Sequence, residues 1–397
     1  MNRNLHFLCG AAILATAISG CGGSTTEIQS PAVTSIEVLA NSQRGIQSIA
    51  FNGGKAYLAL SNTTTEGTAV RKTSLPLHST SIWNDVPLGD CALGPSNEYV
   101  ITRSPTLKQL GDTVWLFQQW SDWPSATPEH SLCALAPQAI TFVPHDEGLR
   151  ACNDIFCETL WMKDLKQVGT RLYTNAGGGH NLLVSDTKAA SWRLLRGRFD
   201  SSYCSHSAFH VVGDRLLTGG ECPLDVAFLE AYQLTADGMG LASQDPIAIT
   251  VPELENRMVQ FIESVAGTQR VFVGVEGGLL RSDDGGRTFK FVIRHPIDTK
   301  NYPYVRSFLS PAGKPNVIVV GGFDKVTAKP YLAWSADGGD KWTDLSTMLP
   351  GYGRTVNDGK TAEVTSLVQD PQGRILVTLN EEEDTKGVLM VLTLGQP

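Results

Sequence analysis

One period runs through this chain and limits what it can fold into. A turn glycine, followed two to four residues later by strand-forming residues, recurs at Gly54, Gly111, Gly169, Gly213, Gly267, Gly313 and Gly373. The separations are 57, 58, 44, 54, 46 and 60 residues. Most of these glycines also follow a short alternating run, such as Gln47 to Phe51 or Val364 to Val368, so each unit opens with a hairpin. A unit of about 53 residues has room for two further strands, which makes one four-stranded propeller blade. Helical periodicity is almost absent. The expectation is an all-β, seven-bladed β-propeller over residues 34–397, with six or eight blades as alternatives. The last unit stops soon after Val388 to Leu392, one strand short, and a spare strand, Thr34 to Leu39, precedes the first. Pairing the two closes the ring and protects both open edges.

Composition agrees with one large repeat. At 397 residues two or three average domains would be the default, but 39 Gly and 20 Pro suit a chain dominated by turns. With 32 basic and 40 acidic residues the formal charge is -8, so a nucleic-acid partner, which needs a concentrated basic face, is not suggested. No cofactor or metal is called for.

The N-terminus carries an address. Arg3 precedes an apolar run from Phe7 to Ile18, too short to span a bilayer but suited to a secretory signal. Ile18-Ser19-Gly20-Cys21 then resembles the lipobox of bacterial lipoproteins. The resemblance implies a signal peptide over residues 1–20, lipidation of Cys21, a flexible tether over 21–33 and attachment to the membrane through that lipid. No Asp follows Cys21, which by the same resemblance favours the outer membrane of a Gram-negative bacterium. An ordinary signal peptide, with Cys21 left free, is the other reading. With Cys9 and Cys21 set aside, Cys91, Cys133, Cys152, Cys157, Cys204 and Cys222 remain, and in an oxidising compartment they read as three disulfides. Proximity in sequence suggests Cys91 with Cys133, Cys152 with Cys157 and Cys204 with Cys222. A zinc site lacks a second Cys/His pair at ligand spacing.

A second motif agrees with the period. Ser282-Asp283-Asp284-Gly285-Gly286-Arg287-Thr288-Phe289 and Ser335-Ala336-Asp337-Gly338-Gly339-Asp340-Lys341-Trp342 share Ser-x-Asp-x-Gly-x-x-aromatic, and Ser185 to Trp192 keeps only the Ser and Trp. This resembles the Asp box, or BNR repeat, of sialidases and related propellers. The carboxylate accepts from turn N–H groups, Gly takes a positive φ, and the aromatic covers the blade edge. In that family the Asp box is structural and faces away from the ligand. The resemblance therefore assigns Ser282, Asp284, Gly286, Phe289, Ser335, Asp337, Gly339 and Trp342 to turns and not to catalysis.

The opposite face carries the long segments, Gln119 to His130, Val143 to Cys157, Phe323 to Lys329 and Glu381 to Lys386, and is where a site is expected. Counting back ten residues from each turn glycine gives Arg44, Ile101, Thr159, Tyr203, Arg257, Pro303 and Glu363 near the axis, with Tyr304 and Arg306 just beyond. Guanidinium forks hold carboxylates bidentately, and a Tyr beside a Glu can act as a nucleophile. By resemblance to sialidases, Arg44, Arg257 and Arg306 would bind a substrate carboxylate, with Tyr304 or Tyr203 as nucleophile and Glu363 as its partner. The chain departs from that pattern: Arg44-Gly45-Ile46-Gln47 lacks the expected Arg-Ile-Pro, Ser61 to Gly67 offers only Glu66 as acid/base, and sialidases have six blades. Seven-bladed Asp-box proteins include xyloglucanase halves and photosystem assembly factors. The expectation is a surface module binding a glycan or a protein, with an exo-acting glycosidase as alternative.

Other features carry less. Trp120 and Trp123 in the blade 2 loop could stack on sugars, while Trp115 reads as core. His206 and His210 share strand parity but stand roughly 13 Å apart, too far to chelate one metal. Gly177-Gly178-Gly179-His180 lacks the Lys-Ser/Thr of a phosphate loop, and Glu381-Glu382-Glu383-Asp384 reads as a solvated hairpin tip rather than a Ca2+ site.

Overall fold

The computed structural model describes residues 33–63, 65–94, 100–122, 130–149, 162–176, 181–186, 188–196, 204–224, 226–295, 303–324, 329–350, 362–381 and 386–394. Its strands form seven antiparallel sheets. Blade 1 holds β2 (Ile46–Asn52), β3 (Lys55–Leu60), β4 (Ala69–Ser74) and β5 (Asn84–Asp85), preceded in the chain by β1 (Val33–Ser42). Blade 2 holds β6 (Val100–Leu110), β7 (Thr113–Asp122), β8 (Leu132–Leu135) and β9 (Val143–Pro144). Blade 3 holds β10 (Leu165–Val168), β11 (Arg171–Ala176), β12 (Asn181–Asp186) and β13 (Arg193–Arg196). Blade 4 has three strands, β14 (Ser205–Val212), β15 (Arg215–Cys222) and β16 (Val226–Gln233). Blade 5 holds β17 (Val259–Ser264), β18 (Val271–Val275), β19 (Gly278–Ser282) and β20 (Lys290–Arg294). Blade 6 holds β21 (Pro303–Leu309), β22 (Ile318–Asp324), β23 (Lys329–Ser335) and β24 (Thr343–Asp344). Blade 7 holds β25 (Glu363–Gln369), β26 (Ile375–Glu381) and β27 (Lys386–Leu394), completed by β1.

The fold is thus an all-β, seven-bladed propeller, as the period implies. β1 pairs antiparallel with β27, Ile36 opposite Leu392 and Asn41 opposite Val388, so the N-terminal strand is the outer strand of the last blade. All seven turn glycines have positive φ, from 57 to 82°, which an L side chain adopts only with strain. Seven apolar clusters hold the ring together, and each lies between two neighbouring blades. One of them packs Leu376, Leu389 and Val391 of blade 7 on Ile46 and Leu58 of blade 1, joining the chain's two ends. Trp115 is core, 3% exposed, between blades 2 and 3.

Both disulfides within the described residues follow sequence proximity, Cys91–Cys133 and Cys204–Cys222. Cys152, Cys157 and Cys21 lie outside those residues. Blade 4 falls one strand short of the four each unit has room for. Past Gln233 the chain turns through Thr235 to Gly240, and Pro246 and Pro252, which have no N–H to give a ladder, flank the stretch where a fourth strand would run. Among the described residues only Ala242, at Gln233, and Ile247, at Ala231, bond to the outer side of β16 before Thr250 pairs with Thr288 of blade 5.

The Asp-box segments are the turns from third to fourth strand in blades 5 and 6. Asp284 Oδ1 accepts from the Arg287 and Thr288 N–H groups at 2.9 Å each, and Gly286 N–H donates to Ser282 Oγ at 2.8 Å. Asp337 and Ser335 repeat the pattern with Asp340, Lys341 and Gly339. These N–H groups and the serine hydroxyl outweigh partial burial and hold both carboxyls below the usual carboxylate range. The aromatic positions do cover blade edges: Phe289 is buried between blades 4 and 5, and Trp342 donates to Gly339 O at 3.2 Å. Arginines tie each box to its neighbour. Arg281 of blade 5 donates to Gly338 O and Asp340 of the next box, at 2.9 and 2.7 Å, and Arg215 of blade 4 donates to Gly285 O.

Candidate functional site

The Asp boxes and the short glycine turns share one face, since Gly285 N–H donates to Gln269 O and Gly338 N–H to Asn316 O, both in first-to-second strand turns. The inner strands start from the opposite face and line an axial channel. In six of the seven blades the register between first and second strand slips once, leaving a bulge at Gln47, Ser104 with Pro105, His206 with Ser207, Gln260, Arg306 and Thr365. A bulge re-aims the side chain it carries. Repetition around the ring sets these positions at one level, and adjoining cavities of about 210 and 510 Å³ open along the inner strands there.

Hydroxyls stitch the ring at that level. Ser207 Oγ donates to Val259 O at 2.8 Å, Thr365 Oγ1 donates to Ile46 O at 2.7 Å, and Ser48 Oγ accepts from Leu107 N–H at 2.7 Å. Asn175 adds a bond from blade 3 to His206 O of blade 4 at 2.9 Å.

Nearer the turn face the channel becomes ionic. Lys108 of blade 2 donates to Asp164 at 2.7 Å, and Lys166 of blade 3 lies 3.3 Å from Asp164 and 2.9 Å from Glu263 of blade 5. Lys166 also donates to Ile262 O and to Nδ1 of His210, whose Nε2 faces Ser264 Oγ at 2.8 Å. An ammonium only donates, so Nδ1 accepts and Nε2 carries the proton. Burial, reinforced by Lys166, lowers the His210 pKa to about 3. Burial also opposes the charges on Asp164 and Glu263, but Lys108 and Lys166 outweigh it and both carboxyls titrate low. Lys108 titrates high, since Asp164 and Glu263 outweigh its own burial. Each charge is matched, so the network fixes blades 2 to 5 around the axis.

The residues singled out in the sequence fall into separate groups. Arg44 is held in blade 1, Nε donating to Ser61 O at 2.8 Å and Nη2 to Gly67 O at 2.5 Å, and burial lowers its pKa. Arg257 is 1% exposed in blade 5 and donates to Glu276 O, Gly277 O and His295 O, beside Glu255. Arg306, Glu363 and Tyr304 come together at the seam of blades 6 and 7. Arg306 donates to Glu363 at 3.2 Å and stacks on Phe323 at 4.7 Å, while the buried Tyr304 ring packs on the same phenylalanine at 4.8 Å. Trp120 lies on β7, and Tyr203, Trp123 and most of the long segments lie outside the described residues. Counting back ten residues fits blades 6 and 7 but overshoots blade 3, where β10 begins four residues before Gly169 and Thr159 is left outside.

Sequence reading missed the ionic network. Its trace was present: Lys108, Lys166 and His210 each stand three residues before a turn glycine, in consecutive blades. Ser48, Ser207 and Ser307 likewise stand six residues before theirs.

No family model matches the chain, and no curated protein matches it. Solved structures do. YCF48 bound to D1 peptide is similar with a TM-score of 0.53 at 12% identity, over 92% of this chain and 99% of that one. YCF48 from Cyanidioschyzon merolae is similar with a TM-score of 0.51 at 12% identity, over 90% and 98%. At such identity the likeness is one of fold. Fold and channel together define the class, a seven-bladed β-propeller with a polar axial channel.

Proposed function

We propose that this protein is a lipid-anchored binding module of the bacterial cell envelope, held through Cys21 in the outer membrane, with its inner-strand bulges and the loops beside them engaging a surface glycan or protein. The observation that carries this over the sialidase-type reading is the state of the arginines. Arg44 and Arg257 direct their guanidinium donors at carbonyls of their own blades, which leaves Arg306 alone among the three beside the open channel. One arginine paired with Glu363 can orient a ligand's polar group, whereas holding a substrate carboxylate for turnover calls for several converging forks. Gln260 at the neighbouring bulge adds a neutral hydrogen-bonding group, as a binding surface of modest charge would. The structural likeness to a propeller bound to a peptide agrees with this reading at the level of fold.

The test uses the mature protein on a glycan array and in cross-linking to envelope proteins, beside turnover of a fluorogenic sialoside. Capture that weakens about tenfold in Arg306→Ala, with no sialoside turnover, is the expected result. Turnover abolished by Glu363→Gln and Tyr304→Phe would overturn it in favour of the glycosidase.

A further inference from the structure

Blade 4 ends in an open strand edge, and the ladder shows which groups it presents. Ala231 accepts from Ile247 N–H on the outer side of β16, and Gln233 O accepts there from Ala242 N–H, both at 2.8 Å. N–H and C=O of one residue in an antiparallel strand point the same way, and the direction alternates along the strand. Ala227 and Leu229 therefore also point outward, and among the described residues nothing pairs with them. Among the described residues the fourth-strand position is filled beside Ala231 and empty beside Ala227 and Leu229.

A groove of about 430 Å³ lies along that empty half, between Val226 to Glu230 and the connection Val251 to Asn256. Three glutamates line it and no basic residue does. Glu255 is paired with Arg257 and Arg294, whereas Glu230 and Glu253 have no cationic partner among the described residues. Val226, half exposed, and partly buried Phe228 add apolar surface. Five residues of strand span about 16 Å, enough to seat a short extended segment.

We propose that this groove takes an extended, basic segment of a partner protein, which adds to β16 as the missing fourth strand of blade 4. Two features select that occupant. The unpaired backbone pattern at Ala227 and Leu229 is complementary to a strand and to little else, the usual logic of β-augmentation. The glutamates select positive side chains and disfavour a second copy of this chain, which would bring its own Glu230 and Glu253 against these. The site is on the outer edge of the ring, apart from the axial channel, so it stands or falls independently of Arg306.

The probe is the acetylated, amidated hexapeptide Lys-Val-Lys-Val-Lys-Val, followed by fluorescence anisotropy and by hydrogen exchange of the full mature protein. Saturable binding with slowed exchange at Ala227 and Leu229 is expected. Ala227→Pro removes an outward N–H that bonds nothing internally, as edge strands tolerate, and should weaken binding at least about tenfold without moving the thermal midpoint. If that variant does not fold, Glu253→Lys, at an exposed position, supplies the test and should also weaken binding. Arg306→Ala should leave binding unchanged. Equal binding of the Glu-Val-Glu-Val-Glu-Val peptide, or no added protection at Ala227 and Leu229, would overturn the proposal. So would a concentration-dependent dimer that Ala227→Pro converts to monomer, which would make the occupant a second copy.

Discussion

Arg257 shows what one buried guanidinium does in a propeller loop. It collects the carbonyls of Glu276, Gly277 and His295, two of them in the turn between β18 and β19 and one just past β20, so a single side chain ties three points of blade 5. Removing it takes that donor from all three carbonyls, leaving Gly277 O to the His295 N–H and Glu255 to Arg294. Arg257→Ala should therefore lower stability by about 3 kcal/mol or more in urea unfolding, and Arg257→Lys should recover little, because an ammonium cannot reproduce the fork. His210 makes a different residue-scale prediction. Its folded pKa of about 3 is below the ordinary value near 6.5, so the unfolded chain binds the extra proton between those limits. Its share of stability is therefore intact above about pH 6.5 and is lost as the pH falls toward 3, at up to about 1.4 kcal/mol per pH unit. His210→Asn keeps an acceptor for Lys166 and should flatten that slope by about one proton between pH 6 and 4, measured by denaturation across pH. An unchanged slope would mean that the imidazole does not titrate this way.

At the scale of single turns, glycine does two different jobs. Gly54 has φ 74° with open space where a Cβ would be, whereas Gly286 has φ 80° and would place a Cβ 2.6 Å from Leu217 of blade 4. Gly54→Ala should cost about 1 kcal/mol of backbone strain, and Gly286→Ala roughly 2 to 4 kcal/mol, because the second also drives a Cβ into the buried Leu217 side chain, which must shift. Thermal midpoints of the pair would show the difference. The contrast explains what was legible beforehand. A positive-φ turn demands glycine at every recurrence, so the seven hairpins and the Asp boxes stood out in the sequence. The outer strands β5, β9 and β24 span two residues each, too few for alternation to register. The fate of an arginine is harder still to read. Arg44 and Arg257 precede inner strands and Arg306 sits at the bulge of one, yet only packing decides whether a guanidinium turns into the channel or back onto its own loop. Lys108, Lys166 and His210 were detectable as one repeated offset, but a lysine at a strand end usually reads as solvated until its neighbours are known.

Closure is the property of the whole ring, and β1 supplies it. Seven interblade clusters leave no blade free on either side, but blade 7 reaches four strands only because residues before blade 1 return to cover β27. Leu39 is buried against blades 7 and 1, and Ile36 and Val38 pack on the cluster between blades 6 and 7. A protein beginning at Gln43 would keep every inner strand and lose this outer one. At about 1.5 to 3 kcal/mol for a fully buried large apolar side chain, buried Leu39 with partly buried Ile36 and Val38 implies a loss on the order of 4 kcal/mol. It would also bare the edge of β27, whose central residues Val388 to Leu392 are apolar and ready to pair with another chain. The shortened protein should thus unfold at lower urea and elute partly as aggregate. Because β1 joins by ladder pairing and a few apolar contacts, a synthetic peptide of residues 33–42 added in trans should restore part of the stability and suppress the aggregate. Calorimetry and size-exclusion chromatography with and without that peptide measure both effects. A shortened protein as stable and monomeric as the full chain would show that the ring closes through the apolar interface of blades 7 and 1 alone.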